Sequence, residues 1–460
     1  MKIFGKTKHI HLVGIGGIGM SGIAELLLNL GYTVSGSDTK ETEVTKHLSD
    51  LGGRVFQGHD PSHIDGADVV VFSSAVREDN PEIVEAGKSA VPVIPRAEML
   101  AELMRLKYGI AVAGAHGKTT TTCMIASILT KGGLDPTVVI GGRLNIWGGS
   151  NARLGRSDFL VAEADESDGS FLALSPSIAV VTNIDREHIE FYRDMNSLRS
   201  TFVDFINKIP FYGRAILCLD DREVQGVLPR LRKSYLTYGL NPQSNIRASD
   251  ISKQGLTTSF AVRFQETALG KVTIGTPGDH NVLNALAAVG VGMELDIDFD
   301  QITEGLRDLG GLKRRFEIVG ERNGVLFLDD YGHHPTEIVK TIGAAKESWP
   351  DRRLIVVFQP HRYTRTKDLY DKFVISFNQA DFLIITPLYE AGEEPLPGIN
   401  SGALFEGIRD HGHRAVTLCG GLEDAASVLL DEMQPGDVVL TLGAGDIHLV
   451  GTEALRRIGD

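Results

Sequence analysis

The stretch "GIAVAGAHGKTTTTCMIASIL", residues 109–129, starts as an apolar run, breaks into glycine and lysine, and resumes as a helical pattern. Within it, Gly114-Ala115-His116-Gly117-Lys118-Thr119 has the strand, loop and helix order that a phosphate-binding loop requires. Glycines let backbone N–H groups close around phosphate oxygens, and the helix N-terminus that follows adds positive potential. Lys118 supplies a mobile cation for the β- and γ-phosphates, and Thr119 or Thr120 offers a hydroxyl to Mg²⁺. One departure stands out: the general G-x-x-x-x-G-K-[S/T] pattern has glycine where this chain has Val112. ATP and Mg²⁺ are the expected ligands of this loop.

Phosphoryl transfer also needs carboxylates to hold the metal. "VAEADESDGSF" places Glu163, Asp165, Glu166 and Asp168 after a buried strand, and "TNIDREHIEFY" places Asp185 and His188 after the next. In an open parallel sheet the strand C-terminal ends meet at the ligand crevice, so both clusters are expected to approach Lys118. Solvated loop acids and a structural histidine are the alternatives.

A second glycine cluster, Gly14-Ile15-Gly16-Gly17-Ile18-Gly19, fits G-x-G-x-x-G after a strand, and Asp38 ends the next strand at a spacing suited to a ribose hydroxyl. NAD is the first guess from this fingerprint alone. A hydride-transfer reading leaves Lys118 unexplained, and pyrophosphate at a helix N-terminus is common to any nucleotide diphosphate conjugate. Tight strand–helix packing is the structural alternative.

Outward from these loops, apolar runs alternate with helical patterns, which implies a βαβ organisation with parallel sheets. "HIHLVGIG", "YTVSGSD", "ADVVVFSSA" and "VPVIP" form one series; "GIAVAG", "DFLVAEAD", "SIAVVTNID" and "AILCLDD" form a second. From about Lys233 to Gly278 the alternation of β-branched and polar residues predicts added antiparallel strands. Gly310-Gly311 reads as a hinge into a third series, "GVLFLDDY", "RLIVVFQP", "DFLIITPLY" and "VVLTLGAGD". Three domains are expected, at 1–107, 108–310 and 311–460.

Composition narrows the class. With 460 residues, 42% hydrophobic and 23% charged, the chain is ordinary globular protein, and its formal net charge of −14 argues against nucleic-acid or anionic-membrane partners. Cys123, Cys218 and Cys419 are scattered, as expected of buried thiols in a reducing compartment. No apolar run reaches the roughly 18 residues of a membrane span, and the N-terminus makes a poor signal sequence, so a cytoplasmic location is expected.

Nine blocks together resemble the Mur ligases of bacterial cell-wall synthesis over essentially the whole chain: "GIGGIGMSG", "GAHGKTTTT", "EADESDGSF", "TNIDREHIEFY", "GDHNVLNALAA", "KRRFE", "DDYGHHPTEI", "FQPHRYTRT" and "LGAGDI". The Gly-x-x-Gly-Lys-Thr loop is that family's own version, which accounts for Val112. The resemblance implies an α/β protein of three domains: a Rossmann-like N-terminal domain for the UDP sugar, a central P-loop ATPase-type sheet with added antiparallel strands, and a Rossmann-like C-terminal domain that closes the site.

It further implies site residues. Gly16, Gly17, Ile18, Gly19, Asp38, Ser73 and Ser74 take the UDP sugar. Lys118 meets the β- and γ-phosphates, Thr119 and Glu163 hold one Mg²⁺ and His188 a second. His280, Asn281 and Asn284 lie near adenine, and Arg315 and Asp330 reach the nucleotide. Tyr331, His333, His361, Arg362 and Arg365 line the muramate and alanine side; Lys118, Glu163, His188, His333 and Arg365 are the implied catalytic set. The residues themselves agree, since "FQPHRYTRT" puts two guanidinium forks at a strand end, suited to carboxylates. Some relatives carry a carbamylated lysine where "LRSTFVDF" has Thr201, so that modification is not expected here.

The activity implied is ATP-dependent joining of L-alanine to the lactyl carboxylate of UDP-N-acetylmuramate through an acyl phosphate, by a monomer or weak homodimer. A tripeptide acceptor is the alternative within the family. Outside it stand a nicotinamide dehydrogenase and a P-loop switch without ligase activity.

Overall fold

The computed structural model describes residues 4–73, 75–140, 152–187 and 189–458, with the backbone alone at Ile18, Ile189 and Glu190. Among these residues the strands fall into three sheets, one for each βαβ series. The first comprises β1 (His9–Val13), β2 (Thr33–Asp38), β3 (Arg54–Gln57), β4 (Val69–Phe72) and β5 (Val93–Pro95), in the order β3-β2-β1-β4-β5 and parallel throughout. The chain winds outward from β1 in both directions, so the crevice of this sheet opens at the C-terminal end of β1, where the Gly14 loop begins.

The second sheet contains β6 (Tyr108–Ala113), β7 (Thr137–Val139), β8 (Ala152–Arg153), β9 (Phe159–Glu163), β10 (Ile178–Val181), β11 (Arg214–Cys218), β12 (Tyr235–Gly239), β13 (Ile246–Gln254), β14 (Thr257–Phe264) and β15 (Thr267–Ile274). Its order is β15-β14-β13-β12-β11-β10-β6-β9-β7-β8. β6, buried from Gly109 to Ala113, is flanked in parallel by β10 and β9, the strands that carry the two acidic clusters. The antiparallel addition is narrower than the sequence predicts. β12 pairs parallel to β11 and β13 parallel to β12, and the meander proper starts with the two-residue turn at Gly255-Leu256. Alternating polarity marks a half-solvated strand, and β12 is half-solvated without being antiparallel.

The third sheet runs β16-β17-β21-β18-β19-β20, built from β16 (Glu317–Arg322), β17 (Val325–Asp330), β18 (Leu354–Phe358), β19 (Phe382–Ile385), β20 (Val416–Leu418) and β21 (Val438–Leu442). All pairs are parallel except β16–β17, an antiparallel edge with a register shift at Ile318/Gly320. Strand periodicity divides its two cores. Leu326, Leu328, Val356 and Phe358 face one layer of helices, and Val325, Phe327, Ile355 and Val357 face the other.

The chain forms two compact units: Met1–Ser249 with Ala261–Val272 and Leu283–Leu309, and Asp250–Phe260 with Thr273–Val282 and Gly310–Asp460. In the first unit a single core joins residues of both sheets, from Ile10 and Leu12 to Ala111 and Val181. Cys123, Cys218 and Cys419 are buried free thiols, and none of the described helices is long and apolar enough to cross a membrane.

Close packing sets a test at Gly36, in the middle of β2. A Cβ there would lie 2.5 Å from the Leu12 carbonyl and 2.6 Å from Ile15 Cδ1. Gly36→Ala should therefore cost about 1–3 kcal/mol and lower the urea midpoint of unfolding, whereas an unchanged midpoint contradicts this packing.

Candidate active site

In the first unit, β6 ends at Ala113 and the helix Lys118–Lys131 begins after four intervening residues. The loop between them is shaped by glycine. Gly114 has φ +133 and a Cβ there would lie 2.1 Å from Thr182 Oγ1; Gly117, the N-cap, has φ +80 and a Cβ would lie 2.5 Å from Asn284 Oδ1. Because Gly117 offers no side-chain cap, the first-turn N–H groups are left for a ligand. Asn183 and Thr182, after β10, tie the loop down: Asn183 Oδ1 accepts from His116 N at 2.9 Å, while Asn183 Nδ2 and Thr182 Oγ1 donate to His116 O.

Lys118 Nζ donates to the Gly114 carbonyl at 2.6 Å and to both oxygens of Glu166 at 2.9 and 3.0 Å. Burial alone would favour neutral lysine, but Glu166 and Asp165 outweigh it and hold the ammonium charged. Burial pushes Glu166 up to about 7 against the pull of Lys118. Of the other acids after β9, Asp165 accepts from Ser167 N, and Asp168 accepts from Ser170 N as a local turn residue.

Glu163, in register with Val112 of β6, has a buried Oε1 that makes no hydrogen bond among the described residues. A buried carboxylate oxygen without a donor is the chemistry a hard divalent cation satisfies, so Glu163 fits Mg²⁺. Asp185 meets His116 Nε2 at 3.0 Å. His188 lies outside the described residues. Thr119 is half-buried and Thr120 buried in the first turn. Asn284 joins the loop, accepting from Thr121 Oγ1 at 3.2 Å.

The Gly14 loop lies in the same unit. Asp38 Oδ2 accepts from Gly16 N at 2.9 Å, so this carboxylate buttresses the loop itself. Gly17 caps the helix Ile18–Asn29 without a side-chain acceptor, and Ser73 lies beside Gly14. Ser74 and the Ile18 side chain lie outside the described residues. Beneath the loop sits Glu82, fully buried, accepting from Ser37 Oγ and His63 Nδ1 and 3.4 Å from His11 Nε2. Burial raises its pKa, and these hydrogen bonds outweigh burial and bring it down to about 2.

The second unit gathers the remaining residues at the C-terminal ends of β17, β18 and β19. Asp330 Oδ2 accepts from Phe316 N at 2.7 Å and Oδ1 from Gly332 N at 2.8 Å, strapping the Arg314-Arg315 turn to β17. The Arg314 and Arg315 guanidinium groups each lie 5.1 Å from the Tyr331 ring. His333 packs 5.7 Å from His361, whose ring stacks on Tyr389. Burial, with His333 and Arg365 nearby, pushes His361 down to about 3, which keeps it neutral.

Arg365 Nη1 is 3.2 Å from His361 Nδ1. Arg362 has φ +71 at the N-cap of the helix Tyr363–Asp368 and gives it no side-chain cap. Glu393 supplies that cap from the next loop, accepting from Thr364 N and Thr364 Oγ1 at 3.0 and 2.7 Å. Next to this cluster is a cavity of about 530 Å³ bordered by Gln359, Tyr389, Glu390 and Asp446. His280 and Asn281 also belong to this unit; burial and Lys340 push His280 down to about 4, and Asn281 Nδ2 donates to the Pro277 carbonyl.

Several residues here had no place in the sequence reading: Glu166 as the partner of Lys118, Asn183, Arg314, Tyr389 and Glu393. Asn183 and Arg314 lie inside quoted blocks and were within reach. Glu393 carries no local signal, because its role is defined only by the loop it meets.

Three family models cover the chain: "Mur ligase family, catalytic domain" at 9–108, "Mur ligase middle domain" at 112–292 and "Mur ligase, glutamate ligase domain" at 314–445. The chain is 58% identical over 456 residues to UDP-N-acetylmuramate--L-alanine ligase of Geobacter sp. (strain M21), covering 99% of each. It is 56% identical to the ligase of the same name from Syntrophobacter fumaroxidans, over 99% of this chain and 97% of the other. The crystal structure of the UDP-N-acetylmuramate-alanine ligase of Thermotoga maritima superposes with a TM-score of 0.84 at 29% identity, over 98% of this chain and 99% of that one. A murein peptide ligase from Psychrobacter arcticus gives 0.72 at 26%, over 98% and 99%.

The burial of Asp330 generates a pH prediction. Burial is the largest influence and raises it to about 6, against Arg315 and the two N–H donors. The folded state then binds more protons than the unfolded one between about pH 4 and 6, so stability falls as pH rises through that window. The melting-temperature advantage of wild type over Asp330→Asn should shrink across it and level off above. A difference that is constant with pH contradicts the assignment.

Proposed function

The chain belongs to the Mur ligase family, and on that premise we propose that it joins L-alanine to the lactyl carboxylate of UDP-N-acetylmuramate at the expense of ATP, a step of peptidoglycan precursor synthesis. The observation that carries this is the 58% identity over 99% of both chains to a relative of that activity. We take 1–107, 108–310 and 311–460 as its functional parts, acting as a monomer or weak homodimer in the cytoplasm.

A carboxylate is a poor electrophile until one of its oxygens carries a good leaving group. In this proposal the lactyl carboxylate attacks the γ-phosphorus of ATP, ADP departs, and the acyl phosphate is attacked by the amine of L-alanine with release of phosphate. Lys118 leaves the Glu166 carboxylate for the β- and γ-phosphates, and the open N–H groups after Gly117 face the same oxygens. Thr119, Glu163 and His188 would hold Mg²⁺, with Thr120 behind them. Bound there, the metal neutralises charge on the transferring group.

His280, Asn281 and Asn284 serve the adenine end, with Arg315 and Asp330 toward the phosphates. Gly16, Gly17, Ile18, Gly19, Asp38, Ser73 and Ser74 hold the UDP sugar. Tyr331, His333, His361, Arg362 and Arg365 form the muramate and alanine side, where a guanidinium fork matches a carboxylate at two points. His361, neutral at pH 7, leaves Arg365 as the nearby cation for the amino-acid carboxylate.

Phosphate release from ATP and UDP-N-acetylmuramate should require L-alanine and not be supported by a murein tripeptide. Release with the tripeptide alone would overturn the acceptor. Lys118→Ala should lower turnover by 10²- to 10³-fold, on the order of 3 kcal/mol, the scale of one preorganised charge-stabilising donor. Near-normal turnover would remove Lys118 from the chemistry.

A further inference from the structure

The third glycine of the first fingerprint has an unexpected neighbour. In a dinucleotide fold that glycine lets the helix pack closely on a strand. Here a Cβ at Gly19 would lie 3.0 Å from Arg96 Nη1, 3.2 Å from Arg96 Cδ and 3.4 Å from Arg96 Cζ. The glycine thus makes room for a guanidinium lying across the first turn of the helix Ile18–Asn29, the turn whose N–H groups Gly17 leaves uncapped.

Arg96 opens the helix Arg96–Met104, after β5, so its backbone is fixed by a sheet edge and a helix start. Its side chain is 20% exposed, and among the described residues its one hydrogen bond is to Asp165 Oδ2 at 3.5 Å, the outer limit of such a contact. A largely buried guanidinium with five donors and one long contact has most of its hydrogen-bonding capacity unspent. Asp165, its partner, also feels the charge of Lys118. Arg96 therefore stands between the sugar-nucleotide loop and the triphosphate loop, within one compact unit.

We propose that Arg96 is a substrate-binding residue, its guanidinium gripping paired anionic oxygens of the UDP sugar, at the diphosphate or at the lactyl carboxylate, on the side that faces Lys118. A planar fork suits either group, and a lysine does not reproduce its two-point contact. The inference rests on the proposed substrate, so the test separates binding from turnover.

Arg96→Ala and Arg96→Lys are compared with wild type by steady-state kinetics and by calorimetric binding of UDP and of UDP-N-acetylmuramate, which needs no acceptor and no ATP. The expected result is a rise of 10-fold or more in the KM for UDP-N-acetylmuramate in Arg96→Ala, partial recovery in Arg96→Lys, and a KM for ATP within twofold of wild type. Weaker binding of both ligands identifies the diphosphate as the gripped group; weaker binding of UDP-N-acetylmuramate alone identifies the carboxylate. Arg96→Gln, which keeps the length and packing of the side chain without its charge or its fork, should weaken sugar-nucleotide binding in the same direction and decides the matter if Arg96→Ala does not fold. Unchanged binding of both ligands in a folded variant, or an equal rise in the KM for ATP, overturns the proposal. Wild-type binding of UDP-N-acetylmuramate without alanine-dependent turnover would instead count against the proposed reaction and leave the Arg96 result readable.

Discussion

A lysine ammonium buried against a backbone carbonyl and a carboxylate is the contact around which the first unit is organised. Lys118 lies 2.6 Å from Gly114 O and 2.9 Å from Glu166 Oε2. Those two acceptors come from opposite ends of the loop architecture, one from the P-loop and one from the segment after β9. They can meet at Lys118 only because β6 and β9 are adjacent and parallel. The contact also poises the site, since a triphosphate offers Lys118 more negative charge than Glu166 does, and Glu166, raised to about 7, tolerates the loss by taking a proton.

The same logic governs the protein's charge. A chain of net charge −14 has to attract two anionic substrates, so its cations act locally and not through a general field. Four of them are held by a neighbouring anion or aromatic face: Lys118 by Glu166, Arg96 by Asp165, Arg314 by Asp329, and Arg315 over Tyr331. Arg362 Nε lies 3.9 Å from Glu393 Oε1, and its backbone, at φ +71, sits where the same Glu393 caps the following helix. Strain of this kind persists where surrounding contacts determine the geometry, and it clusters at functional sites.

Much of this was legible in the sequence, for identifiable reasons. Buried parallel strands such as "GIAVAG" and "LIVVF" read directly, because both faces are covered and every residue is apolar. β3 and β20 did not, being short, partly exposed edge strands with mixed polarity. The glycine loops announced an anion site through residues at positions 114 and 117 that no side chain could occupy. What the sequence withheld were relations between distant segments. Gly19 reads as a packing glycine until Arg96 is seen against it, 77 positions later. Glu393 reads as a loop acid until it is seen on Thr364.

The central claim is that the sugar-linked acid becomes reactive by taking the γ-phosphoryl group of ATP. Isotopically labelled oxygen placed in the lactyl carboxylate of UDP-N-acetylmuramate tests it most directly, by mass analysis of the inorganic phosphate released when L-alanine is joined. The account predicts one labelled oxygen per phosphate formed from fully labelled carboxylate. Phosphate without label, accompanied by normal product formation, would contradict it.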